Sequence, residues 1–312
     1  MFRSAGSAIP TSAGRWKRIR RDKYLYLLLF PGLFIIFLFK YVPMYGIVIA
    51  FKEYNILLGV LDSPWVGFQQ FERLFRTPDF MKIFRNTFLI SLYKLIFGFP
   101  APIILALLLN ELKNGFFKRF TQSVLYLPHF LSWVIFTGII VAFLNPVDGL
   151  VNYILTASGM KPINFMIIPD YFRTLLVGTH IYKEMGWGTI IYLAAMSGVN
   201  PDLYEAARVD GANKFKQMWH VTLPSIRSVI LILMILDLGN ILEAGFMQVF
   251  LLYNPLVYDV GDIIDTYVYR VGIQSANYSL ATAAGVFKSV IALALIYTAN
   301  KIVRKSGNNG LW

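Results

Sequence analysis

Between Tyr24 and Phe39 the chain runs for sixteen residues without a charged or amide side chain. Comparable apolar runs recur near 87–109, 122–144, 174–196, 227–252 and 279–299. A helix crossing a bilayer needs ~20 mostly apolar residues to bridge a hydrocarbon core of ~30 Å. Six such runs in one chain point to an all-α membrane protein, because backbone exposed to lipid must satisfy its own hydrogen bonds. The charge content agrees: 15% of the 312 residues are charged, whereas a soluble domain carries about 25%. Disorder and an ordinary cytosolic enzyme are both excluded. The first run is too long for a cleavable signal peptide and no A-x-A-like site follows it, so it is expected to remain as a signal anchor.

Charge placement gives an orientation. Arg15, Lys17, Arg18, Arg20, Arg21 and Lys23 crowd against the first run. With the N-terminus inside, the inner segments (1–23, 110–121, 197–228 and 300–312) hold 17 Lys and Arg. The outer segments (40–82, 146–170 and 253–278) hold 7. Positive residues in short loops stay on the cytoplasmic side, so both termini are expected there, in a multi-pass membrane protein. The basic cluster abuts a membrane span, where anionic lipid takes it before nucleic acid does. Three parts result: a basic segment 1–23, a membrane domain 24–305, and a tail 306–312. In the first outer loop Trp65, Phe68, Phe71, Leu74 and Phe75 approach helical spacing, which predicts a short interfacial helix packed as a lid on the spans. The run Gly98-Phe99-Pro100-Ala101-Pro102 predicts a kink in the second span, since proline leaves carbonyls unbonded.

Catalytic signatures are missing. There is no G-x-x-x-x-G-K-[ST] phosphate loop, no H-E-x-x-H and no G-x-S-x-G elbow. The chain has no cysteine, which removes thiolate metal sites, iron–sulfur clusters and cysteine nucleophiles. His129, His180 and His220 lie far apart in sequence and read as local hydrogen-bonding residues. No enzyme chemistry, resident metal or cofactor is expected of this chain.

The most informative segment is 200–224, on the expected inner side between the fourth and fifth runs. Asn200 is a good N-cap, Pro201 suits the first helical position, and Asp202 favours the positive helix end. This predicts a helix to about Val209, a tight turn at Gly211, and a second short helix over about 213–221. The second helix places Phe215, Met218 and Trp219 on one stripe, with Lys214, Lys216 and Gln217 on other faces. An aromatic stripe on a short inner helix reads as a docking surface.

Glu205-Ala206-Ala207, then Gly211, then Val221 and Leu223-Pro224, at these spacings, resemble the EAA loop of ABC-importer permeases; Val221 stands where isoleucine is usual. The flanks resemble the binding-protein-dependent sugar and polysaccharide permeases, an LplB-like branch related to MalF. They include Tyr41-Val42-Pro43-Met44-Tyr45-Gly46, Leu107-Leu108-Leu109-Asn110-Glu111, Tyr126-Leu127-Pro128-His129-Phe130, Lys183-Glu184-Met185-Gly186-Trp187-Gly188 and Leu251-Leu252-Tyr253-Asn254-Pro255. The resemblance covers about 24–305. It implies a type I importer permease fold of six spans that moves oligosaccharides or polysaccharide fragments inward. It also implies partners: a second permease, two ATPases that carry the ATP and magnesium, and an external solute-binding protein. Glu205, Ala206, Ala207, Gly211, Phe215, Met218, Trp219, Leu223 and Pro224 would then couple the chain to the ATPases.

Ionisable residues inside spans face a bundle interior or a cavity. On a continuous helix Asp237, Asn240, Ala244 and Gln248 fall within an arc of about 80°, with Glu243 about 60° beyond. This stripe is the expected solute path or, equally, an interhelical packing seam. Lys183 and Glu184 are adjacent and point about 100° apart. Lys94 is a candidate partner for one of the carboxylates, and Trp187 and Tyr192 are candidates to stack on sugar rings. The rival class is a secondary transporter or channel that works without an ATPase, and it gives no reason for the ordered inner loop.

Overall fold

The computed structural model describes residues 21–113 and 115–305. Most of the basic segment and the tail 306–312 therefore lie outside the described residues. Among those described the architecture is helical, with two isolated β-bridges, Lys52 to Trp65 and Asn55 to Gly59. The helices that position the candidate site are α1 (Lys23–Phe51), α2 (Gln69–Arg76), α3 (Phe80–Glu111), α4 (Phe116–Phe130), α5 (Trp133–Leu144) and α6 (Pro169–Ser197). They are followed by α7 (Pro201–Val209), α8 (Lys214–Ser225), α9 (Arg227–Gly239), α10 (Phe246–Leu252), α11 (Ile264–Val268) and α12 (Tyr278–Lys305).

By length and apolar content α1, α3 and α12 can each cross a membrane alone. α4 and α5 meet at 107°, and α8 and α9 at 66°, so each pair is a broken or re-entrant unit. The third apolar run is therefore not one straight helix. α6, at 29 residues, is about 43 Å long and ample to span. Thr179, His180, Lys183 and Glu184 interrupt its apolar content midway. The fifth run also departs from expectation. α9 ends at Gly239, and α10 begins only after Gly245, whose φ of 89° favours glycine. Asp237 to Gln248 thus do not share one helical face.

The second span is one continuous helix through its prolines. A π-helical segment at Lys94–Gly98 sits directly before Pro100, so the extra residue absorbs the proline's missing donor. α2 forms where the aromatic spacing predicted it. It packs on α12, with Leu74 and Phe80 fully buried beside Ala284, and Phe75 edge-on to Phe287. A second core joins α3, α6 and α10 through Ile90, Phe172, Leu176 and Val249, and a third joins α3, α6 and the junction of α8 and α9 through Ala106, Tyr192, Met196 and Ile226. By contrast, no residue of Lys23–Ile36 is buried, so the first half of α1 projects from the bundle.

Candidate functional site

Two features survive as candidates: a polar cavity midway along the bundle and an exposed helix pair at one end of it. The cavity begins with α6. Lys183 is buried, and its Nζ donates to the carbonyls of Pro128 (3.1 Å), His129 (2.9 Å) and Leu131 (2.8 Å). Those carbonyls close α4, where no further helical turn supplies donors. The ammonium therefore fixes the sharp corner into α5, and Ser132 caps α5 by accepting from the Ile135 N–H at 3.3 Å. Glu184, one residue on, turns away and pairs with His129 Nδ1 at 2.8 Å. The His129 ring stacks on Trp187 at 4.7 Å and 3°. Gly186 makes this contact possible, since a Cβ there would overlap the Leu125 carbonyl.

α3 supplies Lys94, which is 7% exposed. Its Nζ donates to the Ala244 carbonyl at 2.6 Å and to Gln248 Oε1. Gln248 is fully buried, and its amide nitrogen donates to Leu176 O (2.7 Å) and Thr179 Oγ1 (2.6 Å). Two expectations are corrected here. Gln248 does not face the path, because it is bonded behind Lys94. Lys94 does not pair with a carboxylate, because none among the described residues lies within 4 Å of it.

Lys94, His180, Glu184, Trp187, Tyr192 and Asp237 line one cavity of about 360 Å³. Lys94, His180, Asp237, Asn240 and Glu243 line a neighbouring one of about 250 Å³. Of the expected path residues, all but Gln248 thus meet at these two cavities. Tyr192 is 2% exposed and belongs mainly to the packed core, so its ring is not free to stack on a sugar. Glu243 is tied to Lys288 of α12 at 2.9 Å, and Lys288 also holds Asp265 of α11 at 2.7 Å. Sequence reasoning missed Lys288 and Asp265. The only signal was a lone lysine in the last apolar run, and nothing in the spacing gave its partners. No group of three or more His, Asp or Glu suited to a metal occurs among the described residues.

The helix pair forms as its capping residues dictate. Asn200 accepts from the Asp202 N–H (3.0 Å), and Asn213 accepts from the Lys216 N–H (2.9 Å). Between them Gly211 has a φ of 76°, and the Ala212 N–H returns to Ala207 O at 2.8 Å, closing α7. Three further ties set the pair. Tyr204 Oη and Thr222 Oγ1 lie 3.0 Å apart, Gln217 Nε2 donates to Ala212 O (2.8 Å), and Lys214 reaches Glu111 at the end of α3 (2.8 Å). Gln217 is thereby buried. Phe215 and Trp219 are 68% and 62% exposed, Met218 is half-buried, and the Glu205 side chain meets only Arg208 at 3.8 Å. The pair is internally braced yet presents apolar surface. It continues through Leu223 and Pro224 into α9, which carries Asp237 to the cavity.

Comparison with known proteins gives a consistent set of relatives. Residues 98–306 match the family described as binding-protein-dependent transport system inner membrane component. Protein LplB of Bacillus subtilis (strain 168) is 48% identical over 309 residues, covering 99% of this chain and 96% of that one. The polygalacturonan/rhamnogalacturonan transport system permease protein YteP of the same organism is 46% identical over 295 residues, covering 95% and 92%. A chain in the crystal structure of a bacterial alginate ABC transporter, in complex with an alginate pentasaccharide-bound periplasmic protein, superposes with a TM-score of 0.87. It is 41% identical, covering 95% of this chain and 99% of that chain.

Proposed function

Because the chain belongs to the family of binding-protein-dependent transport system inner membrane components, we propose that it carries oligosaccharides or polysaccharide fragments through the cavities beside Lys94 and Asp237, driven through α7 and α8. It is the membrane permease of an ABC importer rather than an enzyme, and the ATPase is a separate subunit. The substrate reading draws on relatives named for polygalacturonan, rhamnogalacturonan and alginate. In the assembly a second permease completes the path, two ATPases bind ATP and magnesium, and a solute-binding protein delivers the sugar from outside. Both termini then face the cytoplasm, as the distribution of Lys and Arg supports.

The observation that carries the coupling role is the exposed, braced helix pair. ATP is hydrolysed on another chain, so work must cross a protein–protein contact that differs between two states. An element held by Tyr204, Gln217 and Lys214, and continuous with a cavity-lining helix, can transmit such a difference. Glu205, Ala206 and Ala207 on α7, Gly211 at the turn, Phe215, Met218 and Trp219 on α8, and Leu223 with Pro224 leading to α9 form that contact. A charge-assisted bond from Glu205 contributes roughly 1.5–3 kcal/mol once desolvated. The test is purification with the neighbouring permease and ATPase, followed by ATP-dependent uptake in vesicles. Stoichiometric co-purification and uptake that stops without ATP are expected. Uptake by this chain without an ATPase would overturn the reading in favour of a secondary transporter.

A further inference from the structure

Lys94 is a buried cation whose bonding is incomplete. An ammonium has three donors and no acceptor. Two are spent, on Ala244 O and Gln248 Oε1. Gln248 cannot turn its oxygen away, because its amide nitrogen is fixed by Leu176 O and Thr179 Oγ1, and the Thr179 hydroxyl donates in turn to Leu175 O at 2.6 Å. This chain of oriented dipoles aims two negative ends at Nζ and leaves one N–H without a partner among the described residues. The same side chain lines both cavities. The other lysines of the bundle interior differ. Lys288 holds two carboxylates, and Lys183 spends three donors on carbonyls.

No carboxylate among the described residues lies within 4 Å of Lys94. Glu184 is engaged by His129, and Glu243 by Lys288. Asp237 lines both cavities without an ion pair, beyond 4 Å from Lys94. A charge taken out of water needs a compensating partner. We propose that Lys94 is the specificity-determining residue for an acidic sugar: its free N–H binds the carboxylate of a uronate unit in transit, while Asp237 accepts from that unit's hydroxyls. The inference rests on the permease reading above. A cation at this place favours acidic over neutral oligomers; a carboxylate from the second permease is the competing source of the same chemistry.

The test uses the whole importer in vesicles with three probes: a tetramer of galacturonate, its methyl ester, and a neutral galactose oligomer. Loss of a charge-assisted bond reduces uptake of the acid by about tenfold or more in Lys94→Gln. Uptake of the ester is expected to change by less than about threefold, and Lys94→Arg to restore part of the acid uptake, because charge and donors return. Acid uptake unchanged in Lys94→Gln would overturn the proposal, as would equal loss of acid and ester in both variants. Weakened co-purification of the second permease without acid–ester discrimination assigns the partner carboxylate instead, which also overturns it. If the wild type imports the neutral oligomer and rejects both galacturonate probes, this inference fails and the permease reading stands. If the wild type imports none of the three with ATP present, the oligosaccharide part of the proposed function falls with this inference, while membership of the permease family stands.

Discussion

Gly211 offers the cleanest separation between backbone geometry and surface contact. Its φ of 76° lies in the left-handed region, and a Cβ added there meets nothing within 4 Å. Any substitution therefore acts on this chain through the backbone angle alone. For an L-residue that angle costs about 1–2 kcal/mol, most for a β-branched side chain and least for asparagine. The bend is held by the Gly211 N–H to Arg208 O at 3.0 Å and by the Ala212 N–H to Ala207 O at 2.8 Å; the second bond lies beyond the Gly211 Cα and needs this angle. About 1–2 kcal/mol corresponds to a 5–30-fold change in the population of the bent form. Gly211→Val is expected to lower solute-stimulated ATP hydrolysis in reconstituted vesicles by that factor. Gly211→Asn, which tolerates the angle, should stay within about threefold. Thermal unfolding of the isolated permease controls for global damage. Wild-type hydrolysis and ATPase association in Gly211→Val would refute the reasoning. An equal loss in Gly211→Asn would show that the open space beside Gly211 matters, rather than the angle.

Glu205→Lys should weaken ATPase association and stimulated hydrolysis while leaving the unfolding temperature of the permease unchanged, since the exposed Glu205 has a single ion pair among the described residues, with Arg208 at 3.8 Å. Lys183→Met removes three hydrogen bonds from the α4 corner, and unfolding in detergent is expected to show a loss of about 2–4 kcal/mol, offset in part by relief of a buried charge. Asp237→Asn and Asn240→Ala should alter sugar uptake with assembly intact; normal uptake in both would remove the cavities from the path. Gly186→Ala forces α6 away from the Leu125 carbonyl, so chromatography should show poor assembly, whereas uptake at wild-type level would contradict the close packing.

The apolar runs and capping residues made the helices legible, and the helix pair around Gly211 most fully. Asn200, Pro201, Gly211 and Asn213 act within a few residues of themselves, so local chemistry was enough to place both ends of α7 and the start of α8, whereas α8 runs on to Ser225, past the expected end near 221. Long-range placement was not legible. The helical-wheel stripe assumed that 227–252 is continuous, but Gly239 to Gly245 break it, and no local signal distinguished that break from a tolerated glycine. Gln248 therefore moved from the path to the packing, while Asp237 stayed at the cavity. Trp187 and Tyr192 show the same limit. Both are aromatic on one helix, yet Trp187 is stacked on His129 and Tyr192 is packed among Ala106, Met196 and Ile226.

The interior lysines show why residue type alone could not assign roles. All three sit within apolar runs, and each is expensive there unless its donors are used. Lys183 spends them on the carbonyls that end α4, so its role is to hold a corner. Lys288 spends them on Glu243 and Asp265, so it ties the break in the fifth run to α11 and α12. Those two are complete without a ligand. Lys94 is not, and it alone of the three opens onto the cavities. The order of the bonds decides this: Thr179 orients Gln248, Gln248 orients its oxygen toward Lys94, and the remaining donor of Lys94 is left to whatever passes. Removing the orienting step without touching the lysine tests that order. Gln248→Met keeps the volume but frees Lys94 from one acceptor, and it should blur the preference between an acidic tetramer and its methyl ester while overall uptake persists. An unchanged preference would mean that the lysine is positioned without Gln248.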